Sequence, residues 1–180
     1  MKYYKFLSKS LTHNGFTYKP NSINTDPLPF NPTGSCEKGG LYFAREDCLQ
    51  FINYYVCEVE PIGEVYKDHV YIEKWKAHSL KLGPLMKTED VLEKLIAEGA
   101  KLTSANLDLI IHHNYIEILK LLLKAGVKPT NHNLDIAVYY NRKEVVELLL
   151  KAGAKPSSYA LSQAIINNYT EIVELLNENS

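Results

Sequence analysis

Apolar residues in the second half of the chain recur with a fixed spacing of 27 positions. The segment KAGVKP at residues 124–129 returns as KAGAKP at 151–156, and a looser copy, AEGAKL, occupies 97–102. Between these segments, apolar residues follow the i, i+3, i+4 pattern of a helix that buries one face. A period of this size is typical of stacked-repeat proteins, in which each unit buries its apolar face against its neighbours.

Each 27-residue period predicts two short helices. The second helix of each period is predicted at residues 116–124, 143–151 and 170–177, with apolar residues in equivalent positions. The pattern therefore predicts about three and a half helical repeats over residues 87–180, the first of them a half-repeat. Residues that favour helix ends recur in the same register. They are the N-cap candidates Ser104, Asn131 and Ser158, the left-handed candidates Asn114, Asn141 and Asn168, and the terminating Gly99, Gly126 and Gly153.

At two equivalent positions of the repeat, the apolar residues of the earlier copies are replaced by polar residues in the last copy. Leu109 and Ile136 are followed one period later by Gln163, and Asn177 stands where the two earlier copies have leucine. Polar residues that replace apolar ones only in a terminal repeat are typical of a unit with no further neighbour. We therefore expect the last repeat to cap the array with a polar face.

The first half of the chain has the turn residues and aromatic clusters of a small α+β domain, predicted over residues 1–86. The aromatic residues at 3–7 predict a strand. Asn14-Gly15 predicts a tight hairpin turn, after which residues 16–18 return antiparallel. Four prolines between positions 20 and 38 predict a long loop.

The remainder of this domain is predicted as further strands and one helix. Residues 41–44 are predicted as a buried strand, and apolar residues at i, i+3, i+4 and i+7 predict a helix over residues 45–54. Residues 56–60 predict a strand that is broken by the Pro and Gly that follow, and residues 64–82 predict one or two more. The fold class is therefore an α+β amino-terminal domain followed by an all-α array of helical repeats.

Composition and charge narrow the range of partners. The chain has 180 residues with 20 basic and 21 acidic side chains, so no long-range field favours nucleic acid or an anionic membrane. Its three cysteines are too few for a secreted disulfide framework. No segment reaches the roughly 20 apolar residues that span a bilayer. We therefore expect a monomeric intracellular protein that binds neither nucleic acid nor membranes.

Candidate chemistry is sparse. The sequence contains no HExxH, GxSxG, GxGxxG, GxxxxGKS or CxxC motif, so no catalytic, cofactor-binding or metal-binding residue is assigned. Cys36 with His13 as its base would make a thiol nucleophile, but nothing in the sequence fixes their proximity. The spacings among Cys36, Cys48 and Cys57 match no compact metal-ligand pattern.

A surface for a protein partner is predicted on the repeats. If the repeats stack in register, outward positions of the first helices and the turns after them form a row, and Tyr and Arg are typical of interface hot spots. Tyr139 is instead expected to pack in the core. The candidate partner-binding residues are His113, Tyr115, Tyr140, Arg142, Asn167 and Tyr169.

The repeated segments NYIEILKLLLKAGVKP, NRKEVVELLLKAGAKP and NYTEIVELLNENS resemble the ankyrin repeat family over residues 87–180. The resemblance implies a helical solenoid that mediates protein–protein interaction. The departure is in length, because common ankyrin repeats have about 33 residues and a TPLH-like opening. That motif and six residues are missing from the segment that forms the ankyrin finger.

Two segments of the amino-terminal half carry a second resemblance. KYYKF at residues 2–6 and DPLPFNPTGSCEKGGLYFA at 26–44, placed before a short-period array, are similar to ankyrin proteins of mimivirus-type giant DNA viruses. This resemblance implies a viral protein that acts inside the infected cell, in the host cytoplasm, or is carried by the virus particle, but it implies no activity. We predict that the protein acts there as an adaptor. The resemblance names no partner.

The segment KGGLYFAREDCLQFINYY at residues 38–55 is similar to the G-[IL]-Y-F-A strand–helix segment of ADP-ribosyltransferases. The resemblance implies that Tyr42 stacks on nicotinamide and that Glu58 or Glu60 is the catalytic acid. The family's upstream His-Gly signature is absent, because Asn14 follows His13. A transferase-like domain, active or inactive, is therefore one alternative to a binding function, and a structural component of the virus particle is another.

Overall fold

The structure, a computed structural model, describes residues 2–32, 37–45, 51–68 and 74–179. The chain divides into two compact units, residues 1–101 and 102–180. The first unit therefore includes residues 87–101, which the sequence pattern assigns to the first half-repeat. Half of the predicted helix at residues 45–54, namely residues 46–50, lies outside the described residues, as do Cys36 and Cys48. Of the other half, Arg45 belongs to a strand and residues 51–54 form no α-helix.

The first unit is rich in β-structure. Six of its strands form an antiparallel sheet in the order β4-β7-β5-β1-β6-β8, and a further pairing of β6 with β7 closes β7, β5, β1 and β6 into a ring. Strands β2 and β3 form a separate hairpin. The described strands are β1 (Tyr3–Leu7), β2 (Thr12–His13), β3 (Phe16–Thr17), β4 (Ile23–Thr25), β5 (Leu41–Arg45), β6 (Tyr55–Asp68), β7 (Lys74–Leu82) and β8 (Met86–Lys87), followed by the helix α1 (Thr88–Ala97).

The ring of strands encloses one apolar core. Alternate side chains of β1, β5, β6 and β7 point into it, as the two-residue period of a strand requires. The predicted buried strand at residues 41–44 is confirmed, because all four side chains are buried. The core residues are Leu7, Tyr18, Leu41, Phe43, Cys57, Val59, Trp75, Ala77, Leu80 and Leu82.

The hairpin at Asn14-Gly15 is confirmed, but its pairing partner differs from the prediction. Both residues have positive φ, 51° and 79°. The turn that they form connects β3 to the short strand β2, whereas the prediction paired residues 16–18 with the opening strand β1. Strand β1 pairs instead with β5 and β6. Tyr4 and Leu7 lie on opposite faces of β1 and both are buried, so this strand gains most from a central position in the sheet.

Two other predictions for this unit were wrong. The strand that was expected to break after residue 60 continues through Pro61 and Gly63 as the 14-residue β6, with a shift of register between Ile62 and Val65. The bulge contains Gly63, which adopts a φ of 84°, whereas Pro61 lies before it and remains in register opposite Leu80. The predicted proline-rich loop contains β4, which fits between Pro20 and Pro27 and pairs with β7.

The second unit consists of helices that pack in pairs. Each first helix packs on the second helix that follows it, and α2, α4 and α6 also lie side by side. The second helices agree with the prediction, and the last extends one residue further than expected. The helices are α2 (Ala105–His112), α3 (Ile116–Lys124), α4 (Asn131–Tyr139), α5 (Lys143–Lys151), α6 (Ser158–Ile166) and α7 (Thr170–Glu178).

The predicted left-handed turns are confirmed. Ser104 is the N-cap of α2 as predicted, although its side chain makes no capping hydrogen bond, whereas the predicted N-caps of α4 and α6 lie one residue too late. Asn114, Asn141 and Asn168 have φ values of 56°, 52° and 56°. The residues whose side chains cap α4 and α6 are Thr130 and Ser157, which accept hydrogen bonds from the backbone N–H groups of Asn133 and Ala160. The capping residue must have an extended backbone, and Thr130 and Ser157 have it whereas Asn131 and Ser158 are already helical.

The last helix pair is less polar on its outer side than expected. Gln163 is half-buried and Asn177 is exposed, in line with a polar face. Ile165 and Ile166 on the same helix as Gln163 are nevertheless 56% and 72% exposed. The expected polar cap is therefore only partly present.

Substitution of Gly126, which ends α3, tests the left-handed turn in isolation. Gly126 has a φ of 91°, and a Cβ added there would meet no atom within 4 Å. Gly126→Ala is therefore expected to lower the free energy of unfolding by about 1 kcal/mol, through backbone conformation alone. Gly126→Asn should cost less, since asparagine tolerates this conformation. Urea unfolding followed by circular dichroism measures both, and an alanine variant as stable as the wild type contradicts the interpretation.

Candidate functional site

The first helices of the second unit carry an outward stripe of residues beside the one they bury. In α2 this stripe contains Ala105, Asp108, Leu109 and His112, at the i, i+3, i+4 and i+7 spacing of one helix face. Equivalent residues of α4 and α6 continue it across the neighbouring helices. Together they line an open groove of about 700 Å³. The lining residues are Ala105, Asp108, Leu109, His112, His132, Asp135, Ile136, Tyr139, Tyr140 and Tyr159.

Aromatic rings dominate one side of the groove. The rings of Tyr139 and Tyr140 meet edge to face with centroids 5.0 Å apart, and His112 approaches Tyr140 in the same way at 4.9 Å. Tyr139 is 60% exposed and Tyr159 is 51% exposed. The rings of His112, Tyr139 and Tyr140 are therefore held against one another, and Tyr139 and Tyr159 still present open surface.

The expectation that Tyr139 packs in the core was wrong. Tyr139 is the last residue of α4, seven positions after His132 on the outward stripe, whereas the preceding residue Val138 is fully buried. Its equivalent in the next repeat, Ile166, is also exposed. An apolar residue at this position of the repeat, which Tyr139 and Ile166 occupy, is therefore not a sign of burial.

Two carboxylates lie on the floor of the groove, each tied to the next helix along the array. Asp108 on α2 accepts a hydrogen bond at Oδ1 from Asn133 Nδ2 at 2.6 Å. Asp135 on α4 accepts one at Oδ1 from the hydroxyl of Ser157. Lysine and arginine do not occur among the lining residues. The groove therefore combines aromatic surface with fixed negative charge.

Three of the predicted partner-binding residues occupy one structural position. Tyr115, Arg142 and Tyr169 immediately precede α3, α5 and α7. Tyr115 is only 8% exposed, and the other two are half-buried. Each of these three residues lies at the start of a helix, and Tyr115 is buried. They therefore expose little surface that a partner could contact.

The other three predicted residues lie at the ends of the first helices. Tyr140 lines the groove. His113 is exposed and stacks on Tyr115 with ring centroids 5.3 Å apart, and partial burial together with the neighbouring His112 lowers its pKa. Asn167 is exposed and donates from Nδ2 to the carbonyl of Gln163 at 2.8 Å. Of the six predicted residues, Tyr140 is therefore the one that lines the groove, and the prediction did not include the carboxylates of its floor.

The sequence contains a pattern that indicates the residues of the groove floor. Leu109 and Ile136 are apolar and stand outside the buried stripe of their helices, and Asp108 and Asp135 recur 27 residues apart beside them. A helix with a second apolar stripe has a second surface to cover. Searching the outward columns as well as the inward ones would have identified this face.

In the first unit, the geometry around Tyr42 disagrees with a nicotinamide-stacking role. Tyr42 is 7% exposed, and its hydroxyl donates to the carbonyl of Glu37 at 3.1 Å. The Nζ atoms of Lys74 and Lys76 lie 4.8 and 5.1 Å from its ring centroid. A cavity of about 300 Å³ lies beside it, but the ring has no open face on which nicotinamide could stack.

The proposed catalytic acids of that alternative are surface residues in ion pairs. Glu58 pairs with Lys2 at 3.1 Å and Glu60 with Lys81 at 3.2 Å, and all four side chains are about half exposed or more. Exposed pairs of this kind hold little energy and do not shape a site. Among the described residues, no group of three His, Cys, Asp or Glu side chains is arranged to hold a metal ion.

Lys5 is one of three lysines, with Lys74 and Lys76, that are buried among the described residues of the first unit. Its Nζ donates to the carbonyl of Tyr42 at 2.7 Å and lies 3.3 Å from Nδ1 of His13. Burial lowers the pKa of Lys5 to about 7. Partial burial and then the charge of Lys5 lower the pKa of His13 to about 4, while burial raises the pKa of Cys57 to about 12.

The helix pairs, their left-handed turns and the groove across the first helices define a helical-repeat protein. Residues 131–160, which contain α4, the turn after it, α5 and the start of α6, match the ankyrin repeat family. This match supports an ankyrin-repeat protein, and ankyrin repeats generally mediate protein–protein interaction. Comparison with curated proteins finds none that matches the chain. Among the described helices, none is long and apolar enough to cross a membrane.

Proposed function

We propose that the chain is a protein-interaction module that holds its partner in the groove across α2, α4 and α6. The observation that carries the proposal is the set of exposed tyrosines, Tyr139, Tyr140 and Tyr159, on the wall of this groove. Tyrosine supplies large contact area at a low cost in conformational entropy, and it is enriched among residues that dominate binding energy. The rings stand on helices, which fix their positions more firmly than loops would.

The short repeat favours the helical face as the contact surface. Only five residues, 125–129, separate the end of α3 at Lys124 from the cap of α4 at Thr130. A connection of this length offers little surface of its own. We propose that the array comprises about three and a half ankyrin-type repeats in a solenoid, with α1 as the half-repeat, because α1 stands one 27-residue period before α3.

We also propose that the protein is of giant-virus origin and acts inside the infected cell, in the host cytoplasm. The support for this is the sequence resemblance of residues 2–6 and 26–44 to ankyrin proteins of such viruses. Mass spectrometry of infected-cell fractions and purified particles tests the location. Detection in purified particles alone contradicts it.

Removal of two groove rings is expected to abolish partner capture. In Tyr139→Ala/Tyr140→Ala the loss of two interface tyrosines should weaken binding by roughly 30-fold or more, since truncation of one hot-spot residue costs about 2 kcal/mol. The measurement is affinity capture from host-cell lysate with quantitative mass spectrometry. Both rings are substantially exposed, so the thermal midpoint should change little.

The matched control is Glu144→Ala/Glu174→Ala, which alters two exposed side chains of the second helices. Its captured proteins should equal those of the wild type. If the tyrosine variant retains every partner that the control retains, the groove is not the interaction surface.

A further inference from the structure

We infer that the groove across α2, α4 and α6 accepts an extended segment of the partner that carries two arginine side chains three residues apart. The inference rests on the proposed function and specifies the chemistry of its ligand. It follows from three observations: the charge of the groove floor, the rings beside it and the spacing of its carboxylates.

The groove floor is negative although the whole chain is nearly neutral. Asp108 and Asp135 line it, and no lysine or arginine stands among the lining residues, whereas the formal charge of the chain is −1. The attraction for a cationic ligand is therefore local. Opposite charges placed across an interface steer the encounter and suppress partners of the wrong charge.

The two carboxylates are fixed and have acceptor capacity to spare. Within the described residues, hydrogen bonds engage Oδ1 of Asp108 through Asn133 and Oδ1 of Asp135 through Ser157. An ionised carboxylate offers about four acceptor sites over its two oxygens. The anchored oxygen holds each group in place, and the second oxygen is available to a guanidinium donor of the ligand.

The aromatic wall favours arginine over lysine. Tyr139, Tyr140 and His112 form a cluster of rings in edge-to-face contact beside the floor. A guanidinium stacks on an aromatic face and at the same time donates in its own plane to a carboxylate. An ammonium group can approach an aromatic face or donate to a carboxylate, but it lacks the planar shape that lets a guanidinium stack on a ring and donate two parallel hydrogen bonds.

The spacing follows from the packing of the helices. Asp108 and Asp135 are equivalent residues 27 positions apart on α2 and α4, which pack side by side. Packed helices are about 8–10 Å apart between axes. A polyproline II segment has three residues per turn and rises about 3.1 Å per residue, so residues i and i+3 lie on one side about 9 Å apart. An R-x-x-R segment laid across the two helices therefore meets both carboxylates.

The test is a titration of the full chain against the labelled peptide GPRPARPG, followed by fluorescence anisotropy. The comparison peptides replace both arginines by lysine, by glutamine or by glutamate. We expect the arginine peptide to bind best, the lysine peptide to bind several-fold more weakly, and the other two to show no measurable binding. Affinity should fall as salt is raised, because charged contacts are screened.

Isosteric variants separate charge from shape. Asp108→Asn and Asp135→Asn keep the Oδ1 acceptor for Asn133 and Ser157 but remove the charge, and each is expected to weaken the arginine peptide about tenfold. Glu174→Gln on α7, exposed and outside the groove, is the control and should leave the affinity unchanged. Thermal unfolding of each variant verifies that it is folded.

The outcomes distinguish this inference from the proposed function. If the glutamine or glutamate peptide binds as well as the arginine peptide, or if both Asp→Asn variants bind the arginine peptide like wild type, the inference is wrong. If the arginine peptide fails to bind while Tyr139→Ala/Tyr140→Ala still loses a captured partner, the inference fails and the groove remains the interaction surface. If neither effect is seen, both are wrong.

Discussion

Leu149→Ala is expected to lower the free energy of unfolding by about 3 kcal/mol. Leu149 lies on α5 and is fully buried, and α5 packs against both α4 and α7. Truncation of a buried leucine removes its transfer free energy and leaves a cavity that the surrounding helices fill only partly, at a cost of about 2–5 kcal/mol. In a repeat array each unit is stabilised mainly by its neighbours, so a cavity in the central helix pair weakens the interfaces on both sides.

The neighbouring residue provides the control for this prediction. Leu148 is half-buried on the same helix. Leu148→Ala should cost about 1 kcal/mol, because Leu148 removes less apolar surface from water on folding than the fully buried Leu149 does. Urea unfolding monitored by circular dichroism gives both values. Equal losses for the two variants would show that the helix face has been assigned wrongly.

The stability of the chain is expected to rise between pH 7 and pH 9, because of Lys5. The pKa of Lys5 is about 7 in the folded chain and 10.5 when the side chain is free. Between these values the unfolded chain binds more protons at this residue than the folded chain, so the free energy of unfolding increases with pH. The full slope is about 1.4 kcal/mol per pH unit, which gives an expected gain of roughly 2 kcal/mol over this range.

The other titratable groups near Lys5 act in different pH ranges. His13, with a pKa of about 4 in the folded chain against an ordinary value of 6.5, adds stability with rising pH only below about 6.5. Burial raises the pKa of Cys57 from 9 and that of Tyr18 from 10, so these two groups reduce stability only above about pH 9. Of these four groups, Lys5 is the one that acts between pH 7 and pH 9.

Urea midpoints at pH 7, 8 and 9 measure the effect. Lys5→Met, which keeps an unbranched chain in the core but cannot titrate, should remove the pH dependence in this interval. Lys19→Met, at an exposed position of the same unit, is the matched control and should retain it. A wild-type chain whose midpoint is constant from pH 7 to pH 9 would show that the Lys5 ammonium is solvated in the folded state.

The Lys5 environment could not have been predicted from the sequence. Lys2 and Lys5 alternate with aromatic residues in the opening strand, and nothing in that pattern shows which one is buried. Lys5 is buried because β1 pairs on both sides, with β5 and with β6, which encloses its side chain beside Tyr18 and the carbonyl of Tyr42. Strand order is a property of contacts distant in sequence, which alternation does not encode.

The repeat half followed from the sequence much more fully. The limits of α3 and α5, the left-handed Asn141 and the terminating Gly126 were all predicted, because helix periodicity and the backbone preferences of Asn and Gly act over a few residues. The N-caps of α4 and α6 were misplaced by one residue, since Thr130 and Asn131 are both acceptable capping residues by type. Only the backbone geometry decides between them.

The sequence by itself determined the helix pairs, their turns and the 27-residue period, because each depends on local backbone preference and on one buried stripe per helix. The tertiary structure alone decided the ring of strands, the continuous β6 and the burial of Lys5. It also decided that Tyr139 is exposed and that Asp108 and Asp135 meet it in one groove. These features depend on which surfaces come together once the elements pack, and for this protein the candidate binding chemistry lies there.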